Sequence, residues 1–273
     1  MLMENRPLLS AARCEPVIEG AVLDQDGQPQ PARMPGERAL TLYLDKREIV
    51  TLMTLGQAPE ALALGYLRNQ RLVEGPRDIA RVTVDWETGA AAVSSVDGAA
   101  GARCAAALGR RTVTAGCGQG TQFGDQLDRL RALPAGGARL ARSTLFALLA
   151  AVRGLDTLYK RCGAVHGCML ADGARILHHI EDIGRHNAVD SIAGLMWLRG
   201  ERGADKLFYT TGRLTSEMVI KVVEMGIPVL ISRSGTTEMG LQVAQQCGVT
   251  LIGRARHEKF LVFNGGERID FAA

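Results

Sequence analysis

Between residues 164 and 252 the sequence alternates strand-like and helix-like runs, and this alternation restricts the fold more than any other feature. Ala164 to Leu170 and Ala174 to Ile180 read as paired strands around the Asp172-Gly173 turn. A helix starting near His186 places Val189, Ile192, Ala193 and Met196 on one side. Lys206 to Thr211 is a strand, and Thr215 or Ser216 caps a helix over Glu217 to Met225 that Gly226 ends. Ile227 to Ser232 is a β-branched run of the kind buried on both faces. Glu238 to Cys247 repeats the pattern, with Gly248 as C-cap and Val249 to Ile252 as the next strand. Such alternation predicts an α/β layer with mainly parallel strands.

Upstream, Ser143 is a suitable N-cap for a helix carrying Leu145, Leu148, Leu149, Val152, Leu155 and Tyr159. The segment from Leu40 to Val96 reads as α+β: strands at Leu40 to Leu44 and Ile49 to Leu55, a helix opened by Pro59, and strands at Ile79 to Trp86 and Ala90 to Val96. The first 38 residues hold five prolines and no sustained apolar period, which predicts a loosely ordered arm. The expected organisation is therefore an arm over 1–38, an α+β domain over 39–137 ending in a glycine-rich segment with a cysteine, and an α/β domain over 138–273.

At 273 residues and 47% hydrophobic, the chain can bury one large core or two modest ones. A net charge of +3 is too slight to predict a nucleic-acid or membrane partner. No apolar run approaches the roughly 18 to 20 residues that span a bilayer, and the start lacks a signal peptide's order of basic then apolar residues. Cytoplasmic localisation is expected.

The six cysteines, at 14, 104, 117, 162, 168 and 247, form no CxxC pair and are expected to be thiols. Cys117 stands out within Gly116-Cys117-Gly118-Gln119-Gly120, a few residues after Arg110 and Arg111. Nearby positive charge raises the thiolate fraction, and flanking glycines allow close approach to another protein's sulfur donor. A glycine-rich connector that happens to hold a cysteine would have the same sequence.

Neighbouring strand residues His178 and His179 cannot both face one metal. A zinc deaminase is disfavoured: His186-Asn187-Ala188 has no glutamate at the third place, and Thr215-Ser216-Glu217-Met218 has no cysteine. Neither a phosphate loop of the Walker type nor a GxGxxG turn is present. Instead Thr210 to Arg213, Ser232 to Thr237 and Gly253 to Arg256 place hydroxyls, glycines and arginines at expected carboxyl ends of strands, where α/β sheets bind ligands. Surface ion pairing is the competing role for Arg213 and Arg233.

Three stretches carry a family resemblance: Glu181 to Asp190 (EDIGRHNAVD), Thr211 to Val219 (TGRLTSEMV) and Gly226 to Ser234 (GIPVLISRS). With Val165-His166 and Thr250 to Gly253, they closely resemble the FdhD family of accessory sulfurtransferases for formate dehydrogenase. The resemblance implies a cytidine-deaminase-like three-layer C-terminal domain without zinc ligands beside a smaller N-terminal α+β domain. It implies a sulfurtransferase that relays persulfide sulfur from a cysteine desulfurase, through Cys117, to the bis-molybdopterin guanine dinucleotide cofactor of formate dehydrogenase, with GDP-like ligands as mimics. It also implies a homodimer.

Arg254, Ala255, Arg256, His257, Glu258 and Lys259 fall where the family contacts the guanine dinucleotide, and Gly212, Arg213, Ser232, Arg233 and Ser234 are the candidate phosphate contacts. The chain departs from the family's Cys-Gly-x-Cys-Gly: Gly120 stands where the second cysteine would be, and Cys104 is a candidate substitute. The rival class is a non-catalytic molybdenum-cofactor-binding chaperone.

Overall fold

The computed structural model describes residues 6–107, 112–113, 120–121, 130–134 and 139–272. The N-terminal half contains β1 (Leu8–Leu9), β2 (Val17–Leu23), β3 (Pro29–Pro35), β4 (Arg38–Leu44), β5 (Arg47–Thr54), α1 (Pro59–Asn69), β6 (Ile79–Asp85), β7 (Ala90–Ser95) and α2 (Ala100–Ala107). Five of these strands form a sheet in the order β1-β6-β7-β4-β5. The β4–β5 turn places Asp45 and Lys46 at φ of 48° and 69°, the two-residue geometry that matches strand twist. The Asp45 carboxylate then accepts from the Ser95 amide at 2.8 Å and hydroxyl at 2.6 Å, tying the hairpin to β7.

The expectation of a loose arm is corrected. β2 and β3 form an antiparallel hairpin, and β1 pairs in parallel with β6. Pro29, Pro31 and Pro35 share one parity, while the amide of Gly36, of opposite parity, donates to Pro16 across the hairpin at 2.8 Å. The missing N–H groups therefore all fall on the unpaired outer edge, where proline costs no ladder bond.

Further on, β8 (Thr112–Val113) pairs antiparallel with β9 (Gly120–Thr121). The C-terminal half then comprises β10 (Leu140–Ala141), α3 (Arg142–Gly154), α4 (Leu158–Cys162), β11 (His166–Asp172), β12 (Arg175–Asp182), α5 (Arg185–Arg199), β13 (Leu207–Thr210), α6 (Ser216–Glu224), β14 (Val229–Ser232), α7 (Glu238–Cys247), β15 (Thr250–Arg256), β16 (Lys259–Asn264) and β17 (Ile269–Asp270). Ser143 lies inside α3 instead of capping it, and the expected single helix breaks after Gly154 because the Thr157 hydroxyl caps a new one by accepting from the Lys160 amide at 3.2 Å.

The main sheet runs β12-β11-β13-β14-β15-β16. Neighbouring strands pair in parallel at β13–β14 and β14–β15; β11 pairs antiparallel with both β12 and β13, and β16 with β15, the β11–β12 and β15–β16 pairs being hairpins closed by short turns. Its two faces separate by strand parity. Cys168, Leu170, Phe208, Leu230 and Leu251 pack under α5, α6 and α7, while Met169, Tyr209, Ile231 and Ile252 face α3. The chain is thus mixed α/β, with helices on both sides of this sheet.

The halves interlock through α1 and α5. Almost every residue of α1 is buried, since it lies between the first sheet and α5. A Cβ on Gly65 would sit 1.6 Å from the Asp190 carbonyl oxygen, and one on Gly194 would sit 1.9 Å from that of Ala61, so glycine is required at both positions. Polar ties flank the crossing: Lys221 Nζ reaches Asp190 Oδ2 at 2.6 Å, Asn69 donates to Asp190 Oδ1 at 2.7 Å, and the Thr54 hydroxyl donates to Asp182 at 2.5 Å.

Candidate functional site

On the α3 side of the main sheet a cavity of about 540 Å³ opens near the carboxyl ends of β13 and β14. It lies where α3 ends and the short α4 begins: Leu149 and Val152 of α3 wall one side, Tyr159 and Lys160 of α4 another, and Met169, Tyr209 and Ala255 supply an apolar floor. Four cationic side chains, Arg153, Lys160, Arg233 and Arg256, line it together with one carboxylate, Glu181. An excess of one sign in a concave site raises the local concentration of the opposite charge.

Each group is held by identifiable bonds. The Glu181 carboxylate accepts from the amides of Leu158 at 2.5 Å and Tyr159 at 3.1 Å, satisfying free donors at the start of α4. The half-exposed Tyr159 ring carries the Arg233 guanidinium 5.1 Å from its centroid. Lys160 Nζ donates to the carbonyls of Arg153 at 2.9 Å and Leu155 at 2.5 Å, so its charge sits at the negative end of α3. Arg153 donates to His257 Nδ1 at 3.0 Å. Burial raises the Tyr209 phenol's pKa, opposed by the charges of Arg233 and Arg256, which keeps it a neutral hydroxyl at neutral pH.

The sequence candidates divide. Arg233, Ala255, Arg256 and His257 line the cavity. Ser234 and Arg254 line a shallow recess beside it, with Arg233 and Arg256. Arg213, Glu258 and Lys259 are exposed and line neither. Ser232 and Gly212 are buried, and the Ser232 hydroxyl donates to the Gly212 carbonyl at 2.5 Å, joining two strand ends. The Gly253 to Arg256 run is not a turn: it lies within β15, which β16 extends by pairing back on it. Glu181, Tyr159, Arg153 and Lys160 are residues that sequence reasoning missed as cavity groups. The helix-capping Thr157 before Tyr159 and Lys160 was the available signal.

Cys117 lies outside the described residues. Among the described thiols, burial raises the pKa of Cys104, Cys162, Cys168 and Cys247, that of Cys168 to about 12. Cys104 is buried and donates to the Leu72 carbonyl at 3.1 Å, which disfavours it as a substitute for the missing second cysteine. His178 meets Glu201 at 2.6 Å, while His179 Nε2 is 3.9 Å from Glu181.

Fold and cavity together describe a mixed α/β protein with a cation-rimmed, apolar-floored site at strand ends, suited to an anion with a flat apolar body. The chain belongs to the FdhD/NarQ family, whose profile matches residues 35–270. It is 31% identical over 236 residues to the sulfur carrier protein FdhD of Listeria monocytogenes, covering 85% of this chain and 90% of that protein. It is also 31% identical over 238 residues to the sulfur carrier protein FdhD of Bacillus subtilis, covering 87% and 90%. A crystal structure described as a formate dehydrogenase accessory protein from Desulfotalea psychrophila superposes with a TM-score of 0.74 at 27% identity, covering 93% of this chain and 98% of that one. No helix among the described residues is long and apolar enough to cross a membrane.

Proposed function

We propose that this protein is a sulfur carrier that serves a formate dehydrogenase, relaying persulfide sulfur through Cys117 to a molybdopterin guanine dinucleotide cargo seated in the cavity. The carrying observation is the cavity itself, with its four cationic side chains against one carboxylate over an apolar floor. Its volume is within the range of about 300 to 1,000 Å³ common for small-ligand pockets. That suits one guanine nucleotide portion of the cargo: Met169, Tyr209 and Ala255 receive the flat base and sugar, and Arg233 and Arg256 face the phosphates.

In the relay, the Cys117 thiolate attacks the outer sulfur of a cysteine desulfurase persulfide. The donor's S–S bond breaks, its cysteine leaves as a thiolate, and a new S–S bond forms on Cys117 with no net oxidation. One thiol suffices for this exchange, so Gly120 in place of a second cysteine leaves carriage intact. The same reading takes the helix-covered six-stranded sheet as a cytidine-deaminase-like core used without zinc chemistry, since the deaminase glutamate and cysteine positions are vacant in the sequence.

Intact-protein mass spectrometry after incubation with a desulfurase and cysteine tests the relay. The wild type is expected to gain the mass of a sulfur atom, and Cys117→Ala to gain none. The variant is also expected to fail to activate formate dehydrogenase while binding GDP as the wild type does. Full activation by Cys117→Ala would eliminate the relay and leave the cofactor-chaperone role.

A further inference from the structure

At the edge of the main sheet, just past the cavity, lies a cation that the proposed site does not use. Arg185 opens α5 and is only 6% exposed, yet its Nε is buried without a hydrogen-bond partner, and no carboxylate pairs with its guanidinium among the described residues. A buried arginine in this state bears a desolvation cost that a bound anion would offset. The hydrocarbon part of its side chain lies against Gly212, where an added Cβ would come within 2.6 Å of Arg185 Cδ. Gly212 follows Thr211, which lines the cavity and whose hydroxyl accepts from the Gly167 amide at 3.0 Å.

Because β11 runs antiparallel to β13 with Cys168 opposite Thr210, His166 lies at this same edge. Burial and then the charges of Arg185, Arg233 and Arg213 push the His166 imidazole below its usual range, which places all four groups in one electropositive neighbourhood. The nearby acid, Glu217, lies 3.2 Å from His186 Nε2.

We propose that Arg185, flanked by His166 and Arg213, is a second anion seat that takes a phosphoryl group of the nucleotide held in the cavity, the diphosphate crossing the strand ends from Arg233 to Arg185. The glycine at 212 keeps the passage open, since any Cβ there would displace the arginine. A guanidinium suits this role because its fork can hold two phosphoryl oxygens at once. This inference rests on the nucleotide reading of the cavity.

Titration calorimetry on the full chain with GDP, guanosine and inorganic pyrophosphate tests it. Arg185→Gln is expected to weaken GDP and pyrophosphate at least tenfold and to leave guanosine unchanged. Gly212→Ala, which keeps the charge but displaces it, is expected to lower GDP and pyrophosphate affinity in the same direction. It also carries the test if Arg185→Gln does not fold. Wild-type GDP and pyrophosphate affinity in either folded variant would overturn the seat while leaving the cavity reading in place. If the wild type binds neither GDP nor guanosine, the nucleotide reading fails. Pyrophosphate binding that is lost in Arg185→Gln would then still support an anion seat.

Discussion

The two faces of the main sheet are built from the same strands and do different work. One is closed under α5, α6 and α7, and its buried polar groups are paired: Lys221 with Asp190, Asp190 also with Asn69 of the first half, and His186 with Glu217. The other has α3 and the short α4, and the area between them becomes a cavity lined by Arg153, Arg233 and Arg256. A strand with alternating side chains thus supports an interlocked interior on one face and a receptive surface on the other.

The most severe way to break this contrast is to disrupt the closed face. Lys221→Ala leaves Asp190 buried without its cation and is expected to destabilise the protein by about 3 to 5 kcal/mol in urea unfolding. Replacing both partners, as Lys221→Met with Asp190→Leu, is expected to recover much of that loss. A single variant with an unchanged midpoint would show that the closed face does not depend on the pair.

A smaller effect comes from acid. Burial, then the charges of Lys221, Arg185 and His166, lowers the His186 pKa from 6.5 to about 2, despite Glu217 at 3.2 Å. The folded imidazole therefore stays neutral where the unfolded one takes a proton. Its contribution is complete above 6.5 and is lost as pH falls from there toward 2, by about 1.4 kcal/mol per pH unit. Asp182 and Asp190, which burial pushes up, act in the opposite sense through the carboxylate range, so the measurement is the difference between wild-type and His186→Gln stability curves. The wild type is expected to be steeper between about pH 6 and pH 5, and parallel curves would mean that His186 protonates within the fold.

The smallest stability change belongs to the open face. Arg233→Ala removes a guanidinium resting on a half-exposed ring and is expected to move stability by no more than about 0.5 kcal/mol. GDP affinity is expected to drop about three- to tenfold. A stability loss as large as that of Lys221→Ala would erase the distinction between the faces.

The strand–helix alternation was legible because it is local: periodicity and the helix-ending Gly226 and Gly248 need no distant partner. The hairpin around Asp172-Gly173 was legible for the same reason, whereas β16, which returns antiparallel to β15, and the antiparallel pairing of β11 with β13 were missed where parallel neighbours were assumed. The prolines of β3 looked like disorder because only their parity, compared with a partner strand, shows that they fit an edge. At the site, Arg233 and Arg256 were readable from their places at or near strand ends. Glu181 and Tyr159 were not, because one acts by holding a helix start 22 residues away and the other by supporting an arginine from another element. The EDIGRHNAVD stretch was read as a family signature, whereas Asp182, Asn187 and Asp190 within it bond to the first half of the chain.

The backbone contacts at Gly65 and Gly194 limit how a carrier of this shape can operate. Hinge closure between lobes requires an interface that can open, and shear requires side chains that can slide. Here helix backbones meet with no side chain between them, and charged groups are pinned on either flank. The two sheets are thus joined without the side-chain interface that hinge or shear motion uses, and for the proposed relay this makes successive encounters with donor and client a matter of docking orientation, not of lobes opening and closing.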